Sequence, residues 1–203
     1  VLCMDFIEGI TPEWACSDSF SSRKRSQWGR RLLSFFLQSF FQHRYIHADP
    51  NLANFAFREN GAIVVYDFGC MKAVPETIVY TYAQLTRTVL DNRYDKVPDL
   101  LKNMGVVTPD GETFPMPIVA EYADIVKEPF LPGVVYTFGQ DNRFYKRLIH
   151  LGRQYWEDTL DFTFPKDIIF VNRTLGGHFG NLSRLGASGR WHPLLKKFVD
   201  VAL

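Results

Sequence analysis

The sequence predicts a mainly helical α+β fold that contains one short β-hairpin. Long segments repeat apolar residues three and four positions apart, which is the period of an amphipathic helix. Between these segments, Asn60-Gly61 separates two short apolar runs, which is the strongest short-range signal for a hairpin. The 203 residues are 46% hydrophobic and 15% aromatic, so they can build one sizeable core.

The N-terminal segment predicts a buried strand followed by an extended connection. The apolar run VLCMDFI begins at Val1, without an initiator Met and with the strand already under way. We therefore expect residues 1–203 to form a single domain that is a fragment of a longer chain. The next apolar period covers residues 27–43 and predicts a central core helix, because Trp28, Leu32, Phe36 and Phe40 recur every fourth position.

The hairpin is predicted to pair residues 55–58 with residues 62–66. Beyond Gly69 the pattern is helical for the rest of the chain, and proline or glycine marks several helix ends. The helices are predicted at residues 76–90, 98–104, 117–127, 142–158, 165–185 and 193–202.

Composition limits the partners and the compartment. The formal net charge of +1 provides no global field that would favour nucleic acid. Cys3, Cys16 and Cys70 form neither a CxxC pair nor a disulfide framework, so we expect an intracellular, cytoplasmic location. The longest apolar run, at 32–41, is too short to cross a bilayer, and no transmembrane segment is predicted.

The chemistry is concentrated in two polar clusters that flank the hairpin. The first, here called the polar loop, is residues 47–54, HADPNLAN, and contains His47, Asp49 and Asn54. The second, here called the DFG turn, is residues 67–69 and begins with Asp67 at the end of an apolar run. A hairpin brings both clusters to the same open end, so Asn54 and Asp67 can share one cation. Oxygen ligands of this kind suit Mg²⁺ with substrate phosphates.

Each residue has a simpler structural interpretation when it is considered alone. His47 fits a buried, hydrogen-bonded histidine, Asp49 an Asx turn before proline, and Asn54 a strand-end cap. The order H-x-D-x-x-x-x-N, hairpin, D-F-G is what favours phosphoryl transfer. In that chemistry Asp67 and Asn54 would hold metal, Asp49 would act as base or orient the acceptor, and His47 would hold the loop.

These residues resemble the catalytic and metal-binding loops of protein-kinase-like proteins, and their sequence is most similar to the motifs of the UbiB (AarF) family of atypical kinases. The opening VLCMDFIEG is similar to that family's strand and hinge, which implies that Asp5, Phe6 and Ile7 face adenine. A later segment is similar to the family's C-terminal part, with Arg173 and Gly177 aligned. The resemblance implies a kinase-like C-terminal lobe, with the N-terminal lobe largely absent.

The resemblance further implies ATP and Mg²⁺ as cofactors and a kinase or ATPase activity that the isolated fragment would lack. It implies a link to ubiquinone or other isoprenoid lipids, with a peripheral membrane complex as a partner. One departure is Asn51-Leu52-Ala53, which replaces the family's His-Pro-Gly. Two alternatives stay open: a small-molecule phosphotransferase of the aminoglycoside or choline kinase type, and a catalytically silent, pseudokinase-like module that binds lipid or protein.

Overall fold

The computed structural model describes residues 6–140 and 143–203, and it confirms the mainly helical α+β architecture. The helices are α1 (Pro12–Ala15), α2 (Ser22–Phe41), α3 (Glu76–Leu90), α4 (Val97–Asn103), α5 (Met116–Lys127), α6 (Arg143–Gln154), α7 (Trp156–Thr159), α8 (Lys166–Leu185) and α9 (His192–Ala202). The strands are β1 (Tyr45–His47), β2 (Phe55–Phe57), β3 (Ile63–Val65), β4 (Met71–Ala73), β5 (Tyr136–Thr137) and β6 (Ser188–Gly189).

The predicted core helix is confirmed as α2, although it begins five residues earlier than the apolar period. Ser21 caps its N-terminus, because the Ser21 hydroxyl accepts a hydrogen bond from the Lys24 amide. The helix ends at Phe41, and Arg44, which has a left-handed φ of 58°, then turns the chain into β1. Its apolar face is buried against α8 and α9, so α2 is the central element of the core.

The predicted hairpin is confirmed as β2 and β3, which pair antiparallel with Phe55 opposite Val65. Gly61 adopts a φ of +87°, which a residue with a side chain rarely adopts, and its amide donates to the Arg58 carbonyl at 2.8 Å. The turn therefore depends on glycine at this position.

The prediction that the chain is helical throughout beyond Gly69 is wrong at three short strands. β4 pairs antiparallel with β1, and β5 pairs antiparallel with β6. These strands are only two or three residues long and their partners are distant in sequence, so the local pattern carries no signal for them. The predicted helices are confirmed near their expected ends, except that residues 142–158 break into α6 and α7 and residue 142 lies outside the described residues.

The prediction of a buried N-terminal strand is wrong for the part that the structure describes. Phe6 is 89% exposed and Ile7 is 43% exposed, and neither lies in a strand. The chain pairs with the hairpin at Ile10, whose backbone exchanges hydrogen bonds with Phe57. An apolar run is buried only where another layer packs on it, and the described residues place no such layer over Phe6.

The main core lies between α2, α3, α8 and α9, and most of its largest side chains are aromatic. A smaller cluster of Met104, Val106 and Ile168 lies beside it. Among the described residues, no helix combines the length and the apolar character needed to cross a bilayer.

Candidate active site

Two antiparallel strand pairs bring the polar loop and the DFG turn together. β1 leads into the loop and pairs with β4, which follows the turn, and the Ala48 amide donates to the Cys70 carbonyl at 2.9 Å. β2 leaves the loop and pairs with β3, and the Tyr66 amide donates to the Asn54 carbonyl at 3.0 Å. The two polar clusters, 20 residues apart in sequence between His47 and Asp67, therefore meet at one end of the hairpin.

His47 connects the two clusters directly. Its Nε2 lies 2.5 Å from the backbone carbonyl oxygen of Asp67, and because a carbonyl only accepts, Nε2 carries the proton. The side chain is 2% exposed, and its buried Nδ1 has no hydrogen-bond partner among residues 6–140 and 143–203. One ring nitrogen is thus committed to the backbone and the other is buried, which suits a positioning role better than direct proton transfer to a substrate.

Asp49 and Asn54 form the second link within the polar loop. The Asn54 Nδ2 donates both to the Asp49 carboxylate Oδ2 at 2.9 Å and to the Asp49 backbone carbonyl at 3.1 Å. A short 3₁₀ helix, Leu52–Asn54, shapes this part of the loop, and Leu52 is buried beneath it. The amide group of Asn54 therefore orients the carboxylate that would receive or orient the acceptor proton.

Asp67 is exposed at the end of β3, and its carboxylate is held by its own turn. The Gly69 amide donates to Asp67 Oδ1 at 2.7 Å, which fixes the side chain against the DFG turn. Within residues 6–140 and 143–203, neither Asp67 Oδ2 nor Asn54 Oδ1 receives a hydrogen bond, so both oxygens are available as ligands.

Asp67 and Asn54 offer oxygen donors of the type that Mg²⁺ prefers. In the described part of the chain, no group of three or more His, Cys, Asp or Glu is arranged to hold a metal. A cation here would be held by Asp67 and Asn54 and completed by water and phosphate oxygens, which is how Mg²⁺ is normally bound in such sites. The bound cation would neutralise the charge that develops on a transferring phosphoryl group.

The predicted adenine-facing residues are only loosely attached to this site. Asp5 lies outside the described residues. Ile7 contacts the hairpin through its carbonyl oxygen, which accepts a hydrogen bond from the Tyr66 hydroxyl at 3.4 Å, whereas Phe6 projects into solvent. The structure therefore groups His47, Asp49, Asn54 and Asp67 closely and leaves Phe6 and Ile7 on an exposed segment.

Helix α8 supplies residues of the site that the sequence interpretation missed. Asn181 is 5% exposed, and its Nδ2 donates to the Pro50 carbonyl in the polar loop at 2.7 Å. His178 is fully buried behind the loop, with its ring 5.0 Å from that of Phe36 and 6.2 Å from that of Phe55. Because His178 and Asn181 are three residues apart, the sequence predicts that they share one face of the helix. The local sequence does not indicate which part of the protein that face contacts.

Burial controls the protonation of His178. Desolvation, together with the neighbouring His47, lowers the pKa of His178 to about 3. In the part of the chain that the structure describes, neither ring nitrogen has a hydrogen-bond partner. His178 is therefore neutral at physiological pH and adds no charge behind the polar loop.

Comparison with known proteins adds family evidence to this geometry. A family model described as the ABC1 atypical kinase-like domain matches residues 1–101. The chain is 28% identical over 114 residues to Protein ACTIVITY OF BC1 COMPLEX KINASE 8, chloroplastic, of Arabidopsis thaliana, a match over 55% of this chain and 15% of that protein. It is 27% identical over 140 residues to Atypical kinase COQ8B, mitochondrial, of Rattus norvegicus, a match over 68% of this chain and 26% of that protein.

One solved structure has the same fold over nearly the whole chain. The structure of Rv3197 with erythromycin, from Mycobacterium tuberculosis, matches with a TM-score of 0.72 at 15% identity and covers 96% of this chain and 48% of that one. The chain thus spans about a quarter or less of the two relatives and about half of the solved structure.

Proposed function

Because residues 1–101 of the chain belong to the ABC1 atypical kinase-like (UbiB) family, we propose that the chain binds Mg²⁺–ATP and supports phosphoryl transfer or ATP hydrolysis. The observation that carries this proposal is the bond from His47 to the Asp67 carbonyl, because it joins the polar loop to the DFG turn. Phosphoryl transfer depends mainly on positioning and charge neutralisation. In this proposal Asp49 positions the acceptor, and the cation held by Asp67 and Asn54 neutralises charge.

The contacts support a proposed role for each residue. Asp67 and Asn54 hold the cation, while Asp49, oriented by Asn54, receives the proton of the attacking hydroxyl or water. His47 keeps the DFG turn in register with the loop. A link to ubiquinone or other isoprenoid lipids also belongs to this proposal. An intracellular location belongs to it too and is supported by relatives named as chloroplastic and mitochondrial.

The test is Mg²⁺-dependent ATP binding and hydrolysis by the intact protein and three variants. Asp67→Asn keeps an acceptor for the Gly69 amide but loses the ligand charge, and we expect turnover to fall about 100-fold or more. Asp49→Asn should lower kcat by a similar factor with less effect on nucleotide affinity. Asp110→Asn, on an exposed turn, is the control and should match the parent protein.

Two outcomes would contradict the proposal. Full Mg²⁺-dependent binding and turnover in Asp67→Asn would remove the metal role of Asp67. Full turnover in Asp49→Asn would contradict the role of Asp49 as the base.

A second candidate function, lipid binding, is favoured by one further observation. An apolar pocket of about 750 Å³ opens between α2, α3, α5 and α8, and its lining residues do not include the polar loop. Its wall includes Phe40, Tyr82, Ala123, Leu175 and Phe179, and a pocket of this size and apolarity accommodates a hydrocarbon chain. We propose an isoprenoid chain as its occupant, with a peripheral membrane location.

The lipid proposal has its own test. We expect a fluorescent polyprenol to bind the protein at micromolar concentration, and Ala123→Phe, which fills the pocket, to abolish that binding while leaving ATP binding unchanged. Ile149→Phe, at an exposed position on α6, is the matched control. Equal binding of the polyprenol to parent and Ala123→Phe proteins would contradict the assignment.

A further inference from the structure

Helix α8 lies directly against the polar loop, and two of its residues, Gly177 and Asn181, meet Pro50. Pro50, immediately after Asp49, is buried beneath Gly177 and Asn181. We infer that α8 positions the catalytic carboxylate: Gly177 and Asn181 together fix Pro50 and thereby set the direction of Asp49. This inference rests on the proposed function for the role of Asp49, but the contacts themselves do not.

Asn181 anchors the loop by a hydrogen bond. Pro50 has no amide hydrogen, so its carbonyl is the only backbone group through which it can be held by hydrogen bonding. That carbonyl accepts from Asn181 Nδ2 at 2.7 Å in a buried environment. Without this donor, a buried carbonyl would lose its hydrogen bond, which costs free energy and favours movement of the loop toward water.

Gly177 sets how closely the loop approaches the helix. A Cβ atom at position 177 would lie 2.2 Å from Pro50 Cγ and 3.0 Å from Pro50 Cβ, which is well inside van der Waals contact. The proline ring cannot rotate away as a flexible side chain would, so any side chain at 177 must displace the loop backbone. The helix therefore needs glycine here for packing, although its φ is helical.

Gly176 provides a matched comparison one residue earlier. A Cβ atom at position 176 would meet no atom within 4 Å. Both glycines lie inside α8, so alanine at either position gives a similar gain in helix propensity. A difference between the two alanine variants therefore reports the contact with Pro50 and not the helix.

The experiment compares Gly176→Ala, Gly177→Ala and the parent protein by amide hydrogen exchange of residues 48–54 and by ATP turnover. In Gly177→Ala we expect loop amides to exchange at least about tenfold faster and kcat to fall about tenfold or more, with a smaller change in KM for Mg²⁺–ATP. Gly176→Ala should match the parent in both measurements. Equal exchange and turnover in the two variants would overturn the inference.

A second variant keeps the inference testable if Gly177→Ala does not fold. Asn181→Leu retains the side-chain volume but cannot donate to Pro50, and it should also speed loop exchange and lower kcat. Unchanged loop exchange in Asn181→Leu would overturn the inference. If exchange rises in these variants but the parent protein itself shows no Mg²⁺-dependent turnover, the proposed function fails and the positioning of the loop by α8 stands.

Discussion

The two sides of the predicted nucleotide cleft differ in how firmly the chain holds them. On the phosphate side, His47, Asp49 and Asn54 are connected by hydrogen bonds within the loop and to the DFG turn. On the adenine side, Phe6 is 89% exposed, and Ile7 makes one long hydrogen bond through its carbonyl oxygen. The contrast indicates that contacts within the chain hold the polar loop and the DFG turn in place, whereas the described part of the N-terminal segment is held by few contacts.

The difference has a physical origin in the chain. The polar loop lies between two strand pairs and beneath α8, so contacts distant in sequence restrict it from several directions. The described part of the N-terminal segment is attached to the hairpin by the Ile10–Phe57 bridge and by the long hydrogen bond to the Ile7 carbonyl. A binding site made of these parts would gain its affinity mainly from phosphate and metal contacts.

The largest expected effect is a decrease in the free energy of unfolding at acid pH, caused by His178. Burial holds the folded-state pKa of His178 near 3, below its ordinary value of 6.5, so the unfolded protein binds the proton first. The stability contributed by neutral His178 is fully present above pH 6.5 and declines by about 1.4 kcal/mol per pH unit as the pH falls toward 3. Urea unfolding of the parent protein and His178→Leu between pH 4 and 8 measures this slope.

The matched control for that experiment is His150→Gln, because His150 is exposed on α6. It should keep the pH slope of the parent protein, while His178→Leu should lose stability less steeply with acid. Parallel curves for the parent protein and His178→Leu would contradict the assignment.

The next largest effect is expected at His47, which joins the two polar clusters. His47→Leu removes the hydrogen bond to the Asp67 carbonyl, and we expect about a 10- to 100-fold loss of ATP turnover and about 1–2 kcal/mol of destabilisation. His47→Gln, whose amide can donate to the same carbonyl, should recover part of the turnover. Equal turnover in the parent protein and His47→Leu would show that the clusters stay in register without this bond.

The smallest effect is expected on the adenine side. Phe6→Ala should change the free energy of unfolding by less than about 0.5 kcal/mol, because the side chain is exposed. It should weaken ATP binding by less than about tenfold and leave tripolyphosphate binding unchanged, since tripolyphosphate has no base. Isothermal titration with both ligands tests this, and Ile149→Ala is the exposed control. Parallel weakening of both ligands in Phe6→Ala would contradict a contact with the base.

Some parts of this structure could be predicted from the sequence better than others. Local periodicity and the Asn60-Gly61 turn were sufficient for the long helices and the hairpin, because those signals lie within the elements themselves. The spacing of the polar residues indicated which side chains share the hairpin end. The contacts of Asn181 and Gly177 with Pro50 were not predictable, because they depend on how a distant helix packs.

The hydrogen bond between Asn181 and Pro50 also orders events during synthesis. The two residues are 131 positions apart, so at cellular rates of translation Asn181 is added on the order of ten seconds after Pro50. During that interval the Pro50 carbonyl lacks the donor that holds it in the folded protein. In the nascent chain the polar loop therefore gains its hydrogen bond from Asn181 only after helix α8 has left the ribosome.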